Sequence, residues 1–455
     1  MNPKDTYIPI NFPNIDLLLK STDLKPDKLR VFLHQLYLSR LRLLGYKDKR
    51  KVEEIDESYQ AGFVPLSSVL LRRLLTDNYT EYLRLLIESA FISPQASNTS
   101  EASYMPGKCR CFRINPTLLH LKGSNQHFRK ESITDLCTLK SIVKTKRAFK
   151  ARNARQIEMK PIDLQLFEME RLVRFKCDEA AECFKDDKLD PNSWMAMHLD
   201  LIRSINEGVF DTKVDVFGER LYSPLKRVPR IMRPYMYFDN QPHDELVCLD
   251  VRNSQLYFST LLSHSEVIEE FTPEFRPVIK ATIPFSGNAD FKEYVSLCID
   301  GTIYDLWQQK RKLRTRDAAK EEIIKLLFCR NNLLLPGTEE FSEYFPSVYR
   351  AFRVIKDLKE DALPFITTTY FGDDDKYKDN AYHCNLSCLV QRLESRIFVR
   401  LVGGALIESD IQPFFTVHDS IYVSKHSEQD VKRIINDQFK LLGVAPPAIK
   451  VSNVK

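Results

Sequence analysis

FFTVHDSIYV, residues 414–423, sets two β-rich runs on either side of the polar pair His418-Asp419. Apolar and β-branched runs flanking a two-residue polar break read as strand, tight turn and strand. Asp419 would therefore project from a rigid hairpin into a cleft. Rigid placement matters for chemistry on phosphate, where positioning and charge neutralisation carry the reaction. One carboxylate cannot hold two divalent cations, so a partner is expected on a neighbouring strand. ELVCLDVRNSQLYF, residues 245–258, offers it: Leu246 to Leu249 is an apolar strand-like run that ends at Asp250. Two metals need shared hard oxygen ligands, which Asp250 and Asp419 would provide. Taken singly, an aspartate at a strand end is more often a turn former or cap.

A third stretch gives these carboxylates a substrate. In RTRDAAKEEIIKLLFCRNN, residues 314–332, Arg316, Lys320, Ile324 and Phe328 recur at i, i+4, i+8 and i+12. Four residues is close to one helical turn, so they form a slowly rotating stripe along one helix. Two cations followed by an aromatic make a reader of nucleoside triphosphates, with Arg316 and Lys320 on the phosphates and Phe328 under the base. By itself the stripe would better suit a surface helix with basic residues and a core Phe.

The order of these motifs resembles family A DNA polymerases and the single-subunit phage and mitochondrial RNA polymerases: a strand ending in Asp, a helix Arg-x3-Lys-x7-aromatic, then strand-turn-strand with His-Asp. The resemblance runs from about residue 215 to 425 and implies an α+β fold, a right-hand palm with an antiparallel sheet and helical fingers and thumb. It implies template-directed nucleotidyl transfer from nucleoside triphosphates on a nucleic-acid template-primer, with two Mg²⁺ on Asp250 and Asp419 and Mn²⁺ as a substitute. GERLYSPLKRVPRIMRPYM (218–236) resembles the stretch before the first aspartate and assigns Arg220 to the primer terminus or its minor groove. NLSCLVQRLESRIFVRLV (385–402) resembles a palm helix that directs Gln391 at the template-primer, with Glu394 beside it. His418 joins this primer-template group.

Departures from the family pattern bear on the sugar. Phe328-Cys329 stands where Tyr-Gly is usual, and Ile324 replaces an aromatic. Phe offers no hydroxyl for a ribose, and Gln255 fills space that RNA polymerases leave open; both favour deoxynucleotides. Ser420 after Asp419 is the RNA-polymerase residue, and aligning on Ser254-Gln255 with a two-residue insertion would remove Gln255 from the gate. DNA synthesis is the reading adopted, with an RNA polymerase or primase as the alternative. A second alternative is a non-catalytic, DNA-binding replication initiator. Tyr304 and Trp307 in GTIYDLW (301–307) read as core, and no Asp-x-Glu of proofreading type is evident before residue 200.

Outside the motifs, the 455 residues carry a modest net charge of +5, so charge alone does not point to nucleic acid. Basic residues do cluster in KSIVKTKRAFKARNARQIEMK, 140–160, which would suit a duplex backbone or a solvated face. LSSVLLRRLLTDNYTEYLRLLIES (66–89) reads as two amphipathic helices broken at Thr76, Asp77 and Asn78, followed by strand-like segments around a polar loop. Helix, helix and hairpin around 60–116 resemble a winged helix as much as a helical pair with a surface loop. The expected organisation is a mainly helical region at 1–125, a helical thumb-like region at 126–214, palm at 215–262, fingers at 263–375 and palm again at 376–455. Ten irregularly spaced cysteines suit a reducing compartment without structural zinc. No stretch reaches the roughly 18 apolar residues of a membrane span, so a cytoplasmic protein without a membrane partner is expected.

Overall fold

The computed structural model describes residues 5–43, 62–75, 78–95, 110–119, 126–142, 158–182, 194–209, 212–358 and 383–454. Most of the basic stretch (143–157), the polar loop at 96–109, the breaker residues Thr76 and Asp77, and 359–382 lie outside them. The fold is mixed, with many helices around small antiparallel sheets.

The largest sheet has four antiparallel strands in the order Phe414–Val417, Ser420–Ser424, Leu246–Val251, Ile449–Asn453. Successive side chains of a strand point to opposite faces, and here both faces are covered. Val247, Leu249, Val251, Ile421, Val423 and Phe414 enter one hydrophobic core. Leu246, Cys248, Tyr422, Phe415 and Val417 enter a second. Double burial explains why these strands read as continuous apolar runs rather than alternating ones. The first core is built with the helices of residues 254–358 and 384–441, the second with the N-terminal elements. By parity Asp250 lies on the side of the second core, at the strand end where the apolar run stops.

Helix Arg316–Phe328 starts where Thr315 caps it, its Oγ accepting from the Ala318 N–H at 3.2 Å. Ala319, Ile323, Leu326 and Leu327 are its buried face, so the 316/320/324/328 stripe is turned away from the core centre. Tyr304 and Trp307, on helix Ile303–Lys310, are both buried. Cys384–Leu393 is α-helical, continues as a π-helical segment Glu394–Leu401 and returns to α-helix over Val402–Glu408. Such wide turns recur at functional sites.

In the N-terminal part, helix Pro26–Leu43, strand Val64–Leu66, helices Ser68–Leu75 and Tyr79–Glu88, and strands Ile92–Pro94 and Arg110–Ile114 follow in order. Arg110–Ile114 is the central strand of their three-stranded sheet. Asn78 sits at the start of the second short helix but makes no side-chain cap hydrogen bond. Strand Phe128–Ser132 returns to pair with Asp5–Pro9.

Candidate active site

The antiparallel ladder brings the two aspartates together. Asp250 stands opposite Ser420, whose hydroxyl donates to Asp250 Oδ1, and the Val251 N–H donates to the Asp419 carbonyl at 3.0 Å. His418 and Asp419 form the turn between their strands, His418 in the left-handed region at φ 56° with its ring edge-on to Tyr222 at 6.0 Å. Asp419 is only partly exposed. Burial first, then the Glu394 and Asp250 carboxylates, push its pKa up to about 8, against the pull of a backbone hydrogen bond and the Arg220 guanidinium.

Glu394 is the third carboxylate, at the first π-helical residue and buried. Its Oε1 accepts from Arg220 Nε at 3.0 Å and Nη2 at 2.6 Å, and its Oε2 from the Ser254 hydroxyl at 2.9 Å. Arg220 is itself set by a clamped loop: Asp215 accepts from the Gly218 and Arg220 N–H groups. Arg392 donates to the Phe217 and Val216 carbonyls, and Ser395 and Arg400 to that of Glu219. Gln391, half-buried, packs on Gly218, where an added Cβ would come within 2.7 Å of its Oε1. The arginine expected at the primer is thus tied to Glu394.

Arg316, the first residue of its helix, reaches the strand end. Its Nε donates to Asp305 at 3.0 Å, its Nη2 to Asn253 Oδ1 at 3.2 Å and to the Gly301 carbonyl at 3.4 Å, and its guanidinium lies 5.1 Å from the Tyr304 ring centre. Gly301 ends helix Ala289–Asp300 at φ 73°, and a Cβ there would meet the Arg252 side chain at 2.7 Å, so chain conformation and crowding both call for glycine. Lys320 is exposed one turn on, and Phe328, at the far end, is partly buried against the core. Gln255 is half-buried as the second residue of helix Ser254–Thr260. Among the described residues no hydrogen bond or ion pair joins Lys320, Phe328 or Gln255 to the carboxylates.

The donor set fits a hard divalent cation. Both Glu394 oxygens are engaged, so the carboxylates that could hold a cation here are those of Asp250 and Asp419. Among the described residues no group of three or more His, Cys, Asp or Glu has the spacing to hold a metal. One or two carboxylates completed by substrate phosphates and water is the arrangement Mg²⁺ favours. Glu394 as a carboxylate felt by Asp419, and Asn253 and Asp305 as partners of Arg316, were not read from the sequence. The signal for Glu394 was a charge among apolar residues at core spacing, with Val390, Leu393 and Ile397 around it.

Among solved structures the chain is similar to the polymerase domain of Pol1 from M. smegmatis in complex with DNA primer-template and dNTP, at 14% identity and a TM-score of 0.31. The similarity covers 61% of this chain and 55% of that one, so the chain matches little more than half of that structure's length. No protein-family model and no curated protein matches the chain. Among the described residues no helix is long and apolar enough to cross a membrane.

Proposed function

We propose that the chain is a nucleotidyltransferase that extends a nucleic-acid primer along a template, most favourably with deoxynucleotides. One observation carries the reading: the ladder sets Asp250 and Asp419 side by side, and the Arg316 helix is anchored to the same strand end through Asn253. A carboxylate pair beside a cationic helix end is what a triphosphate with its divalent cations requires.

Two divalent cations, Mg²⁺ or Mn²⁺, would be held by Asp250 and Asp419 and would supply activation of the attacking hydroxyl and neutralisation of the leaving group. Arg316 and Lys320 bind the triphosphate, Phe328 stacks on the base, and Gln255 lies toward the sugar. Arg220, Gln391 and His418 orient the primer-template. The primer 3′-oxygen bonds to the α-phosphorus as the bond to pyrophosphate breaks, and the hydroxyl proton leaves to solvent. Asp419 must give up its own proton before it can hold a cation.

Primer extension tests the reading, with separate deoxy- and ribonucleotide pools on DNA and RNA templates in Mg²⁺. Incorporation from deoxynucleotides, lost in Asp419→Asn, is expected. Incorporation only from ribonucleotides, without a primer, would move the assignment to a primase. Site-specific DNA binding without incorporation under any metal would favour a replication initiator, a reading supported by the helix-strand-helix-helix-strand-strand order of the N-terminal part.

A further inference from the structure

Asn253 lies three residues beyond Asp250 and immediately before Ser254, whose hydroxyl is on Glu394. It is 7% exposed and adopts φ 52°, a conformation that Asn tolerates better than most residues. An Asn at the start of a helix ordinarily accepts from the first-turn N–H groups, but this one makes no cap hydrogen bond. Its Oδ1 instead accepts from Arg316 Nη2. That contact fixes the amide orientation, because the flipped form would set an NH₂ against a guanidinium. Nδ2 is consequently left buried with no hydrogen-bond partner. A buried donor in that condition is costly and rare. It lies between the carboxylate strand and the helix that carries Arg316 and Lys320.

We infer that Asn253 is a nucleotide-binding residue whose Nδ2–H donates to a phosphate oxygen of the incoming nucleoside triphosphate. The inference rests on the nucleotidyltransferase reading and adds a contact to it. Arg316 and Asn253 then present separate donors to the polyphosphate, and the phosphate itself keeps the Asn253 NH₂ turned toward it when the guanidinium is removed. A neutral donor at this point adds binding without further positive charge beside Asp250.

The test is binding of inorganic tripolyphosphate with Ca²⁺ to the full chain, by calorimetry, in a double-mutant cycle of Asn253→Gly and Arg316→Ala. Glycine suits φ 52° and removes the amide without strain. Asn253→Gly is expected to weaken binding about tenfold or more, as for a hydrogen bond to a charged acceptor, and to keep weakening it when Arg316 is already Ala. Asn253→Asp keeps an acceptor for Arg316 but loses the donor, and is expected to bind at least as weakly as the glycine variant. Loss of the Asn253 effect in the Arg316→Ala background would overturn the inference, since Asn253 would then act only by holding Arg316. Full binding by Asn253→Asp would overturn it also. Failure of the parent chain to bind tripolyphosphate would overturn the nucleotide reading itself.

Discussion

Divalent cation binding should depend steeply on pH, because Asp419 holds its proton through neutrality. Its pKa is pushed up to about 8 from an ordinary 3.8. A carboxyl with that pKa is about one-tenth ionised at pH 7 and about one-hundredth at pH 6, while a cation binds only the carboxylate. Apparent affinity for Mg²⁺, Mn²⁺ or Ca²⁺ should rise about tenfold per pH unit from 6 toward 8 and then level off. Stability without cation should move the other way. A raised carboxyl pKa contributes stability that is fully present below the unfolded value and is lost as pH rises through the folded one. The window is therefore about pH 4 to 8, and the ceiling is on the order of 5 kcal/mol. Calorimetric titration and thermal melts at pH 6, 7, 8 and 9 read both effects. Asp419→Asn should remove most of the pH dependence and melt higher than the cation-free parent at pH 8. Cation affinity that is flat with pH, or equally steep in the Asn variant, would refute the electrostatic argument.

Asp305→Asn removes the half-exposed carboxylate that shares Arg316 and should lower the nucleotide KM about two- to fivefold, the range of an exposed ion pair, in steady-state extension. Gly218→Ala forces the Gln391 side chain aside and should cost about 1–3 kcal/mol in melting while weakening primer-template binding in a fluorescence titration. An unchanged template affinity would remove Gln391 from that contact. Glu394→Gln leaves the largely buried Arg220 side chain without its counter-charge, which should destabilise the chain by about 2–3 kcal/mol. The same variant should shift the cation-affinity curve to lower pH, since one of the charges that hold the Asp419 proton is gone.

The strand-turn-strand at 414–424 and the strand ending near Asp250 were legible because both sheet faces are buried, so apolar runs stop only where the chain turns. The Arg316 helix was legible from its four-residue stripe, whereas the Thr315 cap that starts it was not singled out. Tyr304 and Trp307 were correctly read as core, although Tyr304 also lies under Arg316. What could not be read was long-range side-chain pairing. Arg220 and Glu394 are 174 residues apart in the chain, and no periodicity joins them. The π-helical widening at Glu394 is equally hidden, since the 385–402 stretch fits an ordinary amphipathic helix. Arg220 was assigned to the primer by its motif; Glu394, the residue that holds it, had no assigned role.

That pairing changes how the site's charge is counted. Asp250, Asp419 and Glu394 converge with Arg220 among them, and Arg220 donates twice to a single oxygen of Glu394. Its positive charge is therefore largely committed to Glu394, leaving the two aspartates to face each other. Lys450 stands opposite Asp250 on the neighbouring strand, and Arg316 is drawn toward Asp305 and Asn253. Burial and the neighbouring carboxylates raise the Asp419 pKa, so a proton there would relieve the remaining repulsion, and a divalent cation would relieve it more fully. Because a buried proton and a cation would compete for one carboxylate, the features that make Asp419 an unfavourable anion on its own would favour a divalent cation brought to it with the substrate.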